Sequence, residues 1–358
     1  MQGSNPRVST PSPFPGEWRF WLVVVLATAA VLPALLYSGI PAPTVLAGVL
    51  AGGVCALVAR RPQPLPKPAR DLALGLVGVV AGSHIDLSVL QTAVRQPLVI
   101  LGSVVATLAL TVGLGQVLRL SPHVDRVTAV FSSIAGGASG LIVVARDLGA
   151  DAAVVAASQY LRVFVIVLTI PVVAPFFGAT GVQPTTAGTS WSGLLFTVLA
   201  LVAGLLVARL VRFSGSRLLL PLVVASAGSM SGWFPAHEVP TGVAAFGSTV
   251  IGLMVGLELT RETLRRLRAV LPVAVAVLLA TLVGSAALGV VFSRLAHVSG
   301  LAGYLAMTPG GLPAVTTIAA GTGNEIGVIM TVQVVRLITA VLVGVGIGAA
   351  VGRRRRPG

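Results

Sequence analysis

Gly136-Gly137, Ala145, Gly149, Asp151 and Gln159-x-x-Arg162 recur as Gly310-Gly311, Ala319, Gly323, Glu325 and Gln333-x-x-Arg336. Each residue meets its counterpart 174 positions later (136 → 310, 162 → 336), with no gap between the copies. A fixed offset over seven positions, one of them Asp against Glu, marks an internal duplication. Gly82 and Gly256 share the offset, so the repeat extends upstream of the glycine pairs.

In both copies a polar stretch broken by glycines leads into an apolar run carrying one arginine. Arg162 follows Asp151 by eleven residues, and Arg336 follows Glu325 by the same interval. At about 1.5 Å per helical residue, that is roughly 16 Å, near the middle of a bilayer core about 30 Å thick. An arginine there costs at least ~2.5 kcal/mol unless a partner or water receives it, so it points to a functional site or a structural ion pair.

The duplicated Gly-Gly, Gly-x-Asp/Glu and Gln-x-x-Arg pattern resembles the bacterial membrane family called AbrB, distinct from the small DNA-binding regulator of that name. The resemblance covers nearly all the chain after residue 18. It implies a polytopic membrane protein; the family's labels, "ammonia monooxygenase" and "regulator of gene expression", name no chemistry carried by these residues. The copies differ at their tips, where Ser139 and Gly140 stand opposite Pro313 and Ala314.

Composition agrees with a membrane protein. Of the 358 residues 55% are hydrophobic and only 9% charged, where a soluble domain carries about 25%. Uncharged runs long enough to cross a bilayer include 20–38, 40–59 and 97–118. The net charge of +14 sits in short clusters between apolar runs, which orients a membrane protein and does not build a nucleic-acid face. Cys55, the lone cysteine, excludes an internal disulfide. Four scattered histidines supply no obvious copper or iron site, and no cofactor or enzymatic motif is evident.

The expected fold is all-α: about ten transmembrane helices and two glycine-broken re-entrant hairpins, in two inverted repeats. The divisions are a disordered cytoplasmic tail (1–17), a first membrane repeat (18–177), a linker (178–190), a second repeat (191–352) and a basic tail (353–358). With the N-terminus in the cytoplasm and re-entrant hairpins, all loop cations but Arg95 and Arg294 fall inside. Five crossings per half is an odd number, so the second half must be upside down, as in many secondary transporters. The third span is read as 71–90 and the hairpins as 127–145 and 301–320.

Site candidates follow from this plan. Gly136, Gly137, Gly310 and Gly311 free backbone groups at the hairpin tips. Gln159, Arg162, Gln333 and Arg336 suit a carboxylate or phosphate, each Gln lying on its arginine's face. Asp151 and Glu325 cap helices or couple protons; Glu258 and His84, at equivalent positions, form a candidate proton pair. Gly48/Gly52, Gly78/Gly82, Gly252/Gly256 and Gly344/Gly348 read as helix packing. The favoured function is a transporter or exporter of a small anionic organic solute in the bacterial inner membrane. A regulator of gene expression acting through a partner, and a channel, are the alternatives. The lipid bilayer and the solute are the expected partners, nucleic acid is not, and a homodimer is compatible with the sequence.

Overall fold

In lipid every backbone N–H and C=O needs an internal partner, and apolar runs of this kind meet that demand as helices. The computed structural model describes residues 17–38, 40, 42–59, 63–85, 96–121, 124–134, 145–146, 148–177, 190–211, 215–234, 238–268, 270–310, 312–319 and 325–354. Gly136, Gly137 and Gly311, most of the first hairpin, the linker 178–189 and the terminal residues 1–16 and 355–358 lie outside the described residues.

The first half contributes α1 (Glu17–Tyr37), α2 (Pro43–Val58), α3 (Lys67–Ser83), α4 (Pro97–Gly115), α5 (Arg126–Ser133) and α6 (Ala152–Val173). The second contributes α7 (Trp191–Leu210), α8 (Ser216–Met230), α9 (Thr241–Leu257), α10 (Arg261–Leu267), α11 (Leu271–Ala296), α12 (Gly300–Met307), α13 (Leu312–Ala319) and α14 (Ile326–Arg354). Local chemistry sets the starts. Proline stands in the first turn of α2, α3, α4 and α11, where its missing N–H costs nothing. Asp125, Ser190, Thr260 and Ser299 cap α5, α7, α10 and α12 with side-chain oxygens.

Helix starts keep the sequence offset. α1 and α7 (17 → 191), α3 and α9 (67 → 241), α4 and α11 (97 → 271), α5 and α12 (126 → 300), and α6 and α14 (152 → 326) each begin 174 residues apart. The span read as 71–90 is instead a helix beginning at Lys67 and ending at Ser83. Pro68 in its first turn moves the start upstream of the charged residues.

Four helices form an inner layer. A Cβ on Gly48 would lie 2.2 Å from Thr249 O, and one on Gly252 2.1 Å from Val45 O, so α2 and α9 touch backbone to backbone. Contacts of Gly48 with Thr249 and Leu253, then of Gly52 with Leu253 and Leu257, show the two helices running parallel. Gly78 meets Leu218 and Leu222, and Gly82 meets Leu222 and Ala225, so α3 and α8 are parallel too. These glycines are packing residues, as their spacing suggests. By contrast α3 and α9, which share the offset, run antiparallel. Glu258, just past the end of α9, shares a cavity with Arg70 at the start of α3, while Gly247 near the middle of α9 meets Leu76 and Val77.

The outer layer faces lipid. Leu26 of α1, Val105 of α4, Val202 of α7 and Val283 of α11 each stand more than half exposed. Stripes this apolar on four helices belong in hydrocarbon, not water. Among the described residues five helices are long and apolar enough to cross a membrane: 18–37, 97–120, 152–169, 191–210 and 271–296. Shorter apolar helices lie at 43–58, 216–230, 241–257 and 326–340. Helices of 15 to 17 residues, α2, α8 and α9 among them, are shorter than a full span. Each packs one face closely on another helix of the inner layer.

Candidate functional site

The site is built on two eight-residue helices, α5 and α12. Eight residues rise only about 12 Å, less than half a bilayer core. Their C-terminal carbonyls therefore end deep in the protein without an intrahelical partner. α12 ends at Met307, residues 308–310 are not helical, and α13 begins at Leu312. At the break Gly310 is buried, and a Cβ there would lie 2.8 Å from Cγ2 of Ile166.

The chain then returns to where it entered. Glu325, just before α14, accepts from the backbone N and the hydroxyl of Ser299, the N-cap of α12. In the first copy the Asp151 N–H donates to Thr128 Oγ1, in the first turn of α5 (3.0 Å). The mouth of each loop is closed by its exit residue. From there α6 climbs beside α5, and α14 beside α12.

Eleven residues up, each arginine reaches the end of its half-helix. Arg162 Nη1 donates to Ser133 O (3.2 Å), and Arg336 Nη1 donates to Thr308 O (3.0 Å). Gln159 Nε2 donates to Phe131 O (3.3 Å), and Gln333 Nε2 to Leu305 O (2.8 Å). The Gln-x-x-Arg pair is thus a C-terminal cap supplied from a neighbouring helix. Cations at that end also offset the helix dipole, worth roughly −0.5 charge. All four side chains are buried, Arg162 at 5% and Arg336 at 3% exposure.

The copies part at the remaining donors. Arg336 Nη2 donates to Gln333 Oε1, closing its pair. Arg162 Nε and Gln159 Oε1 have no partner among the described residues. Arg162 also lines a cavity of about 40 Å³, with Thr111, Ser132, Ser133, Ser158 and Thr281 supplying hydroxyls to its wall. That is room for a few water-sized groups. The two guanidinium groups are close enough for their like charges to act on one another. Neither forms an ion pair with a carboxylate among the described residues.

The other candidates fall elsewhere. Asp151 Oδ1 accepts from the N–H groups of Ala153 and Val154 and caps α6. With Glu325 it stands at a hairpin mouth, away from the arginines. The candidate pair of His84 and Glu258 is not brought together. His84 caps the end of α3, its Nδ1 2.8 Å from Val80 O, whereas Glu258 lies at that helix's start, beside Arg70. A helix of 17 residues separates them by about 25 Å. Equivalent positions on antiparallel helices come to opposite ends. Glu258 instead lines a cavity of about 140 Å³ with Gln63, Arg70 and Thr260. Burial pushes its carboxyl up, with Arg70 pulling the other way. The hydroxyls around Arg162 were missed by sequence reasoning. Setting the copies side by side would have found three of them, since Ser132, Ser133 and Ser158 stand opposite Ala306, Met307 and Val332.

A family model described as "Transition state regulatory protein AbrB" matches residues 44–351. The chain belongs to the AbrB family. It is similar to "Putative regulator AbrB" of Escherichia coli K12, at 28% identity over 330 residues, covering 90% of this chain and 94% of the relative. It is also similar to "Uncharacterized protein YhjN" of Bacillus subtilis 168, at 23% identity over 296 residues, covering 76% of each. In this AbrB-family chain the matched region spans both half-helices and both arginines.

Proposed function

We propose that this AbrB-family protein is a secondary transporter of a small anionic organic solute in the bacterial cytoplasmic membrane. It consists of two inverted repeats of five crossings and one re-entrant hairpin each, with both termini in the cytoplasm. The antiparallel course of α3 and α9 supports the inversion. So do the parallel pairs α2 with α9 and α3 with α8, because five crossings turn each helix of the second half over. The closed mouths at Ser299–Glu325 and Thr128–Asp151 support hairpins that return to their own side.

One observation carries the substrate class. Two arginines lie buried within electrostatic reach of each other, with no carboxylate paired to either among the described residues. Two half-helix ends contribute roughly −0.5 charge each and offset only about one of the two positive charges. About one charge remains at mid-depth, and an anion entering from water answers it. Broken helices at the midplane between inverted halves are where transporters of this architecture bind their solutes.

The test is uptake into proteoliposomes of radiolabelled acetate, lactate and succinate under an imposed proton gradient. The expected outcome is saturable uptake of at least one of them, reduced about tenfold or more in Arg162→Gln, since a charged hydrogen bond contributes ~1.5–3 kcal/mol. Flux that does not saturate would favour a channel. The word "regulator" in the name of the Escherichia coli relative favours a second reading, a membrane-embedded regulator that signals through a cytoplasmic partner. No uptake, with a defined partner co-purifying, would select it.

A further inference from the structure

We infer that the solute's carboxylate is held on the Arg162 side alone, by Arg162 and Ser132, and that Arg336 is a sealed structural counterpart. The inference rests on the transporter reading and assigns the substrate's charged end within it.

The duplicated frame gives both arginines the same job, capping the carbonyls at the end of a half-helix. Their surroundings differ position by position. Ser132, Ser133 and Ser158 in the first copy become Ala306, Met307 and Val332 at the 174-residue offset. Those three apolar residues are nearly inaccessible and belong to one core cluster with Ile100, Val104 and Phe292. Met307 fills the space beside α4, and Thr107 Oγ1 donates to its sulfur at 3.4 Å. Around Arg162 the smaller serines leave a cavity.

The donors facing that cavity define what fits. Three of its hydroxyls are already committed to their own helices: Thr111 to Leu108 O, Ser133 to Ala129 O and Thr281 to Val277 O. Two buried donors are left without partners among the described residues, Arg162 Nε and Ser132 Oγ. An unmet donor at this depth costs ~1–3 kcal/mol, so a pair beside a cavity is a site waiting for acceptors. A carboxylate offers two oxygens, one for each donor, and its charge answers the guanidinium. At about 40 Å³ the cavity takes the headgroup of a small organic acid.

The experiment measures the Tm of the purified full-length protein with sodium acetate, lactate or succinate against sodium chloride of equal ionic strength. Variants are Arg162→Gln, Ser132→Ala, and the double change Ser132→Ala with Ser158→Val, which installs the second copy's side chains. The expected result is a rise of about 3 °C or more in the wild type at saturating carboxylate. That rise is at least halved in Ser132→Ala and lost in the other two, while each variant stays monodisperse. Ser132→Ala adds no bulk, so its loss of response is not a folding failure. The assignment is overturned if no carboxylate stabilises the wild type, or if the double variant responds in full. Proteoliposome uptake separates the two levels. Saturable uptake with an unchanged KM in the double variant removes the cradle but leaves the transporter. No uptake in the wild type removes the transporter itself.

Discussion

The two halves share helix starts, helix contacts and the Gln-x-x-Arg cap, yet differ where those elements meet solvent-sized space. Arg336 is paired with Thr308 and Gln333; Arg162 keeps a donor without a partner among the described residues and a hydroxyl-lined cavity. At the helix ends, His84 is exposed while its counterpart Glu258 is half-buried beside Arg70. The lesson is that the duplicated part is the scaffold. Capping a half-helix inside a membrane is a structural need that both copies must meet. Binding needs only one open side, and the second copy has filled its own with apolar side chains.

The largest expected effect comes from removing the closed arginine. Arg336→Ala removes two hydrogen bonds from a charged donor, to Thr308 O and Gln333 Oε1, a loss of about 3–6 kcal/mol at ~1.5–3 kcal/mol for each. Arg162→Ala strands only Ser133 O and should cost about 1–3 kcal/mol. Thermal or denaturant unfolding in detergent ranks the two, and equal losses would break the distinction between them.

A smaller effect belongs to the helix ends. Burial raises the Glu258 carboxyl above its ordinary value of 4.5, against the pull of Arg70. A carboxyl raised in the folded state stabilises below pH 4.5 and loses that contribution as pH rises through its folded value. Stability should therefore fall over that window in the wild type and fall less in Glu258→Gln. Smallest of all is Ser132→Ala measured without ligand. Its hydroxyl has no partner among the described residues, so stability should move by less than about 1 kcal/mol.

Much of this plan is legible in the sequence. The 174-residue offset anticipates the helix starts, and small-xxx-small pairs anticipate the seams at Gly48/Gly52 and Gly78/Gly82. The second hairpin, read as 301–320, appears as α12 and α13. The role of the arginines is not legible, because it depends on carbonyls 28 and 29 residues upstream whose depth only the fold defines. One clue is the eleven-residue interval, since it matches the length of a half-helix and its cap. The helix α10 falls outside every span that the apolar pattern marks. Thr260 ahead of Arg261-Glu262-Thr263 is a capping signal that periodicity alone overlooks. His84 and Glu258 are not brought together because α3 and α9 run antiparallel, which puts equal positions at opposite ends.

That inversion is the central claim, and site-directed labelling tests it. In a Cys55→Ala background, His84→Cys and Glu258→Cys are each exposed to a membrane-impermeant maleimide in intact cells and in inside-out vesicles. The account predicts that position 84 labels from outside and position 258 from the cytoplasmic side. Labelling of both from the same side would contradict it.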